Sequence, residues 1–192
     1  SALQLGIDKY RALNPQGLMP ALKLGETIVP QSTAILEYLE ETWPDPPLLP
    51  ADPVLRATVR GFAQHVTSEM HAIDVIRVRR FLHNALAVDE AGIKRWQRHW
   101  FVTGFTALET MLEMRETEWL CCYGDSPGWA DLHLVPQVRK GLTRFALDMS
   151  PYPNLLRAYE AAIAHPAFIA AEPRNQPDYP GSFREPSLSG RW

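Results

Sequence analysis

The stretch Pro20-Ala-Leu-Lys-Leu-Gly-Glu-Thr-Ile-Val-Pro-Gln-Ser-Thr33 decides the fold class of the first part of this 192-residue chain. Two short apolar runs flank a Gly-Glu turn, and this pattern predicts a β-hairpin. A helix is predicted directly after the hairpin, with Ser32 or Thr33 as its N-cap and Trp43-Pro44 as its end. The first part of the chain is therefore predicted to be an α/β unit.

Proline divides the chain into its predicted domains. Residues 43–53 contain five prolines in eleven positions, too many for a helix or a central strand, whereas residues 54–126 contain none. We predict four segments: an α/β domain over residues 1–43, a linker over 44–53, an all-helical domain over 54–180 and a tail over 181–192.

Apolar residues recur every three or four positions after the linker, as one buried face of a helix requires. The first such stripe consists of Leu55, Val59, Phe62, Val66, Met70 and Ile73. A second helix is predicted to start at Asp89, with a stripe of Ile93, Trp96, Trp100, Gly104, Leu108 and Met111. Gly104 on this stripe predicts close contact with another helix. Further helices are predicted from about Trp129 to Phe145 and from Pro153 to Ala164.

Composition excludes several classes of function. Charged residues make up 21% of the chain and apolar residues 46%, and the formal net charge is -3. Nothing in this balance resembles the basic excess of nucleic-acid-binding proteins. No run of about 18 apolar residues predicts a membrane helix. The adjacent Cys121 and Cys122 are poorly spaced for a disulfide loop or a metal site, so we expect a reducing, cytoplasmic location.

Several short sequence motifs, taken together, resemble those of the zeta class of glutathione transferases, which includes the maleylacetoacetate and maleylpyruvate isomerases. The longest words are Leu13-Asn-Pro-Gln-Gly-Leu-Met-Pro-Ala-Leu22, Gln31-Ser-Thr-Ala-Ile-Leu-Glu-Tyr-Leu-Glu-Glu41 and Pro47-Leu-Leu-Pro-Ala-Asp52. Further motifs follow in the same order as in the family: His71, Tyr123-Gly-Asp125, Ala130-Asp131, Leu134-Val-Pro-Gln-Val138, Arg144-Phe145, Pro151-Tyr-Pro153 and Gln176-Pro-Asp178. The resemblance extends from about Tyr10 to Pro180.

The resemblance implies a thioredoxin-like N-terminal domain followed by an all-helical C-terminal domain in a homodimer. It also implies glutathione as cosubstrate and a small dicarboxylate as substrate. In the family reaction, glutathione thiolate adds to a cis double bond, rotation follows, and elimination gives the trans isomer. This chemistry requires no metal and no redox cofactor.

The resemblance places four residues of the N-terminal domain at glutathione. Met19-Pro20 matches the family's Val-Pro word, whose proline is cis and whose preceding backbone pairs with the cosubstrate. Gln31 and Ser32 lie where a strand leads into a helix. Backbone N–H groups and the helix dipole at such a position suit the γ-glutamyl carboxylate.

Two residues of the helical domain complete the predicted site. His71 matches the family histidine that lies beside glutathione. Arg144 matches the arginine that binds the substrate carboxylate, a task to which a bidentate guanidinium is well suited. We predict no metal, because His65 and Glu69 have the i, i+4 spacing of ligands but lack a third one.

The N-terminal region departs from the family pattern. Only 18 residues precede Met19, whereas a strand–helix–strand unit needs about 30. Ala2–Leu5 resembles the end of the first helix, Gly6–Asp8 the entry to the second strand and Lys9–Leu13 a helical turn. We therefore expect segments to be absent before residue 2, after residue 5 and between residues 8 and 9. An intact mass of 21.7 kDa would refute this expectation.

The thiolate-stabilising residue cannot be assigned from this sequence. The family's serine lies in a Ser-Ser-Cys-Ser word of the first loop, and that word is absent here. Ser1 is not assigned this role.

Departures near the substrate leave alternative functions open. The polar Asn-Asn-Arg word that follows the family histidine is Asp74-Val-Ile76 here, and residues 138–144 carry one position more than the family spacing. The leading hypothesis is an isomerase of a maleylacetoacetate-like dicarboxylate. The alternatives are a transferase or dehalogenase with another acceptor, and a binding protein of this fold without catalysis.

Overall fold

The computed structural model describes residues 2–179, 181 and 188. The chain forms two compact units, Ser1–Leu48 and Leu49–Trp192. Each unit is described by itself.

The first unit begins with a helix, α1 (Ala2–Leu13). The expectation of a strand entry at Gly6–Asp8 was therefore wrong. A strand needs a neighbouring strand for its backbone hydrogen bonds, and among the described residues the paired strands are the two that follow α1. In a helix, these residues satisfy their backbone groups locally.

The predicted hairpin is confirmed. Strands β1 (Ala21–Leu24) and β2 (Thr27–Pro30) pair antiparallel, with Leu22 opposite Val29. The two-residue turn uses Gly25 at a φ of 58°, a conformation that glycine adopts without steric cost.

Helix α2 (Ser32–Thr42) follows at once, but its N-cap is Gln31 rather than Ser32 or Thr33. Gln31 has a φ of 73°, so the chain turns into the helix one residue earlier and Ser32 already has helical geometry. The predicted end of the helix is confirmed, with Trp43 as the C-cap. Glu40 is buried and accepts a hydrogen bond from the Leu48 N–H at 3.0 Å, which holds the middle of the linker against the helix.

In the described part of the second unit, all regular elements are helical. They are α3 (Pro53–Gln64), a π-helical segment (His65–His71), α4 (Ala72–Asp74), α5 (Ile76–Asn84), α6 (Glu90–Glu113), α7 (Trp129–Arg144), α8 (Pro153–Ala164), α9 (Pro166–Ala171) and a 3-10 turn (Pro173–Asn175). The two helix starts predicted at Asp89 and Pro153 are confirmed.

The first long helix contains a π-helical segment that periodicity does not reveal. Val66 and Met70, four residues apart, are both buried, while i→i+5 hydrogen bonds such as Ala72 N–H to Thr67 C=O replace the α-helical pattern. The apolar stripe therefore continues through a change of helix type.

The buried face of α6 is rotated from the predicted one. Trp96, Trp100 and Met111 are only half-buried. The buried positions are Ile93, Gln97, Phe101, Gly104, Phe105, Leu108, Glu109 and Leu112. The close contact predicted at Gly104 is confirmed, because a Cβ atom there would lie 2.4 Å from Met70 Cγ.

Candidate functional site

A network of hydrogen bonds fixes the loop that precedes β1. The Tyr10 hydroxyl and the Asn14 side-chain amide each donate to the Leu18 carbonyl at 2.7 Å, and Asn14 is buried. The Met19–Pro20 peptide bond is cis, as predicted, and Met19 is 86% exposed. Both residues are thus exposed, and their contact with glutathione stays a prediction.

The N-terminus of α2 is open. Gln31 and Ser32 are exposed, and no side chain in the described part of the chain caps the first turn. The Gln31 side-chain amide instead donates to Gln16 Oε1 at 2.6 Å. Free N–H groups at the positive end of a helix attract anions. This arrangement suits a carboxylate, and the glutathione role of Gln31 and Ser32 stays a prediction.

His71 ends the π-helical segment in the second unit. Its Nδ1 accepts a hydrogen bond from the Gln137 side-chain amide at 3.4 Å. The residue is partly open to solvent, yet desolvation lowers the pKa of His71, and the positive charge of Lys140 lowers it further. The lowered pKa favours the neutral ring, which has one nitrogen that donates and one that accepts.

A buried carboxylate lies three residues after His71. The Asp74 side chain is 1% exposed, and it accepts hydrogen bonds from the Lys140 ammonium and, at 2.5 Å, from the Gln97 amide. Arg79 lies 3.8 Å away from the same carboxylate and donates to the Asp74 carbonyl at 3.1 Å. Asp74 therefore links α4, α5, α6 and α7, and its carboxylate faces the protein interior rather than solvent.

Arg144 lies in the last turn of α7 and is half-buried. Its guanidinium lies 5.4 Å from the centre of the Phe145 ring. Its positive charge contributes to lowering the pKa of Lys140, after the larger effect of desolvation. The extra residue in this stretch is accommodated within continuous helix, and the substrate role of Arg144 stays a prediction.

The structure brings His71 and α7 together through residues that the sequence did not single out. Gln137 contacts the imidazole, and Lys140 contacts the Asp74 carboxylate. The spacing of Gln137, Lys140 and Arg144, three and then four residues, could have indicated a shared helix face. The partners of Gln137 and Lys140, which are His71 and Asp74, are each 66 residues away in the chain, and no sequence pattern indicates these pairings.

The two cysteines are not candidate nucleophiles. Both are buried, and burial raises the pKa of Cys121 to about 11 and the pKa of Cys122 well above its ordinary value. Both thiols are therefore protonated near neutral pH, whereas the reactive form is the thiolate. Across the described residues, no three His, Cys, Asp or Glu side chains could together hold a metal ion.

A separate cavity of about 570 Å³ lies in the second unit. It is bounded by the start of α3, the end of α6 and the loop that follows, including Val54, Met111 and Trp119. None of the predicted site residues lines it. Among the described helices, none is long and apolar enough to span a bilayer.

The sequence of this chain matches a family model and known relatives. A family model for the glutathione S-transferase N-terminal domain matches residues 3–47. A maleylpyruvate isomerase from a Ralstonia species is 43% identical over 172 residues, which cover 89% of this chain and 80% of that protein.

Solved structures match most of the chain. The structure of a holo maleylpyruvate isomerase, described as a bacterial glutathione S-transferase of the zeta class, matches with a TM-score of 0.84 and 41% identity. The match covers 89% of this chain and 80% of that one. A maleylacetoacetate isomerase from Methylobacterium extorquens AM1, solved with bound malonate and glutathione, matches with a TM-score of 0.81 and 38% identity over 90% of this chain and 80% of that one.

Proposed function

Because the chain belongs to the zeta class of the glutathione transferases, we propose that it catalyses the glutathione-dependent cis–trans isomerisation of a maleylacetoacetate-like dicarboxylate. The observation that carries this proposal is the 43% identity with a maleylpyruvate isomerase across 89% of the chain. The fold is that of the family, a thioredoxin-like N-terminal domain with an all-helical C-terminal domain. Within that fold we retain the predicted divisions at residues 43 and 53.

The residues of the first unit fit glutathione. The exposed residues Met19 and Pro20 can offer backbone hydrogen-bonding groups to the cosubstrate's peptide, and the uncapped first turn at Gln31 and Ser32 offers N–H groups for its γ-glutamyl carboxylate. We propose that these four residues bind glutathione. Bound glutathione supplies the thiolate that adds to the cis double bond and leaves after rotation.

The residues of the second unit fit the substrate side of the reaction. We propose that neutral His71 donates a hydrogen bond from Nε2 beside the cosubstrate, since Gln137 occupies its Nδ1. Arg144 is proposed to bind a substrate carboxylate, which keeps the substrate in place while its double bond becomes a single bond. A guanidinium suits this role because it remains charged and can bind a carboxylate through two parallel hydrogen bonds.

An activity assay tests the proposal. Protein is mixed with glutathione and maleylacetoacetate, or with maleylacetone, and loss of the cis-enol absorbance is followed. We expect turnover that depends on both protein and glutathione. No turnover at any protein concentration, together with retention on glutathione resin, would instead favour the non-catalytic binding protein or an enzyme with another acceptor.

One observation favours another acceptor as the second candidate function. Val75 and Ile76, at the break between α4 and α5, are apolar where the family has polar residues. An acceptor with fewer charged groups would match that difference. Parallel assays of glutathione conjugation and dehalogenation would detect such an activity.

We further propose that the protein is a cytoplasmic homodimer. The family resemblance supports the dimer, and the free, adjacent cysteines are typical of a reducing compartment. Light scattering of the purified protein is expected to give twice the chain mass, and fractionation of cells is expected to recover the protein with the cytosol.

A further inference from the structure

Three polar side chains follow one face of α7. Gln137, Lys140 and Arg144 are three and four residues apart, so they lie above one another on the helix surface. The first contacts His71, and the last is the proposed carboxylate-binding arginine. Lys140 therefore lies between the two residues of this unit that we assign to ligand binding.

The Lys140 ammonium is held from several sides. Asp74 accepts a hydrogen bond from it, and the ammonium lies 5.2 Å from the centre of the Phe101 ring. Gln97 and Arg79, both buried, in turn hold the Asp74 carboxylate. Because this carboxylate is buried and hydrogen-bonded on both oxygens, it fixes the position of the ammonium.

The ammonium retains capacity for another anion. It has three N–H donors, and Asp74 is the hydrogen-bond acceptor that we find for it in the described part of the chain. The side chain is 22% exposed, so an anion can reach it. Desolvation lowers the pKa of Lys140 overall, and the negative charge of Asp74 partly opposes this shift.

We propose that Lys140 binds the second carboxylate of the substrate and thereby determines the preference for a dicarboxylate, with Asp74 as its positioning residue. This inference rests on the proposed function and adds a second cationic contact to it. Arg144 and Lys140 are one turn apart on α7, and a small dicarboxylate can span such a spacing with its two ends.

Two substrates that differ by one carboxylate provide the test. Maleylacetoacetate carries two carboxylates and maleylacetone carries one. We expect Lys140→Gln to lower kcat/KM for maleylacetoacetate by about 10- to 100-fold, the loss typical of a hydrogen bond between charged groups. For maleylacetone the loss is expected to stay below about twofold. Lys140→Arg, which retains the cation, should recover part of the activity with the dicarboxylate.

The separate effects of Asp74→Asn on KM and on kcat test the positioning role of Asp74. Asp74→Asn leaves the ammonium in place without its anchor, so KM for maleylacetoacetate should rise while kcat changes little. Lys94→Gln removes an exposed lysine of α6 and is the matched control, for which we expect kinetics like those of the unmodified protein. Equal losses with both substrates in Lys140→Gln would overturn the proposal.

A binding measurement separates failure of this inference from failure of the proposed function. If the unmodified protein isomerises neither substrate, calorimetric titration with malonate in the presence of glutathione decides the role of Lys140. Weaker malonate binding in Lys140→Gln but not in Lys94→Gln supports it, and unchanged binding overturns it. Should Lys140→Gln not fold, the double variant Asp74→Asn/Lys140→Gln removes both charges and is measured in the same way.

Discussion

The Gln137 side-chain amide donates a hydrogen bond to Nδ1 of His71 across 3.4 Å, from α7 to the end of the π-helical segment. This contact joins α7 to a proposed ligand-binding residue. With the amide nitrogen facing the ring, Nδ1 is the acceptor, because an amide N–H cannot accept a hydrogen bond. Protonation of Nδ1 then costs the contact.

The titration of His71 should reflect this arrangement. Desolvation and the charge of Lys140 lower the pKa of His71 below its ordinary value of 6.5, so the folded protein takes up this proton at lower pH than the unfolded chain does. The free energy of unfolding should consequently fall as pH decreases through and below that value. NMR titration of the imidazole, assigned with His71→Asn, measures the shift.

A substitution at Gln137 tests the same arrangement by raising the pKa of His71 instead of lowering it. In Gln137→Glu, a carboxylate replaces the amide beside the ring, and an adjacent negative charge favours the imidazolium. The pKa of His71 should therefore rise relative to the unmodified protein. Gln137→Met serves as the control for loss of the amide without added charge. A His71 pKa at or above 6.5 in the unmodified protein would contradict the arrangement.

Packing between Gly104 and Met70 predicts a measurable loss of stability. A Cβ atom at Gly104 would lie 2.4 Å from Met70 Cγ and 2.6 Å from its Sδ, and Met70 is fully buried. Although alanine favours helix by about 1 kcal/mol over glycine, overpacking in a filled core costs about 1–3 kcal/mol. We expect Gly104→Ala to lower the free energy of unfolding by about 1 kcal/mol in urea denaturation.

Gly61 in α3 provides the matched control. A Cβ atom there meets nothing within 4 Å, so Gly61→Ala should instead stabilise the protein by about 0.5–1 kcal/mol. The double variant Met70→Ala/Gly104→Ala should be less destabilised than the sum of its single changes, because the smaller side chain leaves room for the new methyl group. Equal effects at the two glycines would show that the helices do not approach closely at Gly104.

A buried carboxylate of α6 caps α8. Glu109 accepts hydrogen bonds from the Asn154 and Leu155 N–H groups at 2.9 and 3.0 Å, and from the Asn154 side-chain amide at 2.7 Å. Glu109→Ala removes all three and leaves buried donors unpaired, which should cost about 3 kcal/mol of stability. Glu113→Ala, at an exposed position of the same helix, should change stability by less than about 0.5 kcal/mol. Comparable losses in the two variants would argue against this cap.

Local sequence signals predicted local features of the fold well. The Gly25-Glu26 turn and the cap at Asp89 each depend on a few adjacent residues, and both were predicted correctly. The cap at Ser32 was wrong because the positive φ of Gln31 is unusual for a residue other than glycine. The π-helical segment was missed because its buried residues keep the spacing of an α-helix.

The sequence proposes site residues only where a family pattern supplies them. The roles of His71 and Arg144 are predictions from the resemblance. The ion pair between Lys140 and Asp74 was not predicted, because nothing near Lys140 in the sequence identifies Asp74 as its partner. A charged residue on a helix is usually solvated, and only the folded structure shows which one meets a buried carboxylate. Ion pairs between distant segments therefore require coordinates.

The adjacent cysteines should be unreactive in the folded protein and reactive once it unfolds. Desolvation, followed by the negative charge of Asp131, raises the pKa of Cys121 to about 11, and the same two effects raise the pKa of Cys122. At pH 8 nearly all of both thiols is then protonated and shielded from solvent, so reaction with a disulfide reagent such as DTNB should be slow. In denaturant, both should react rapidly and release two equivalents of the chromophore per chain. Fast labelling of either cysteine in the native protein would show that the segment carrying them opens readily, and it would also require their exclusion as nucleophiles to be reconsidered.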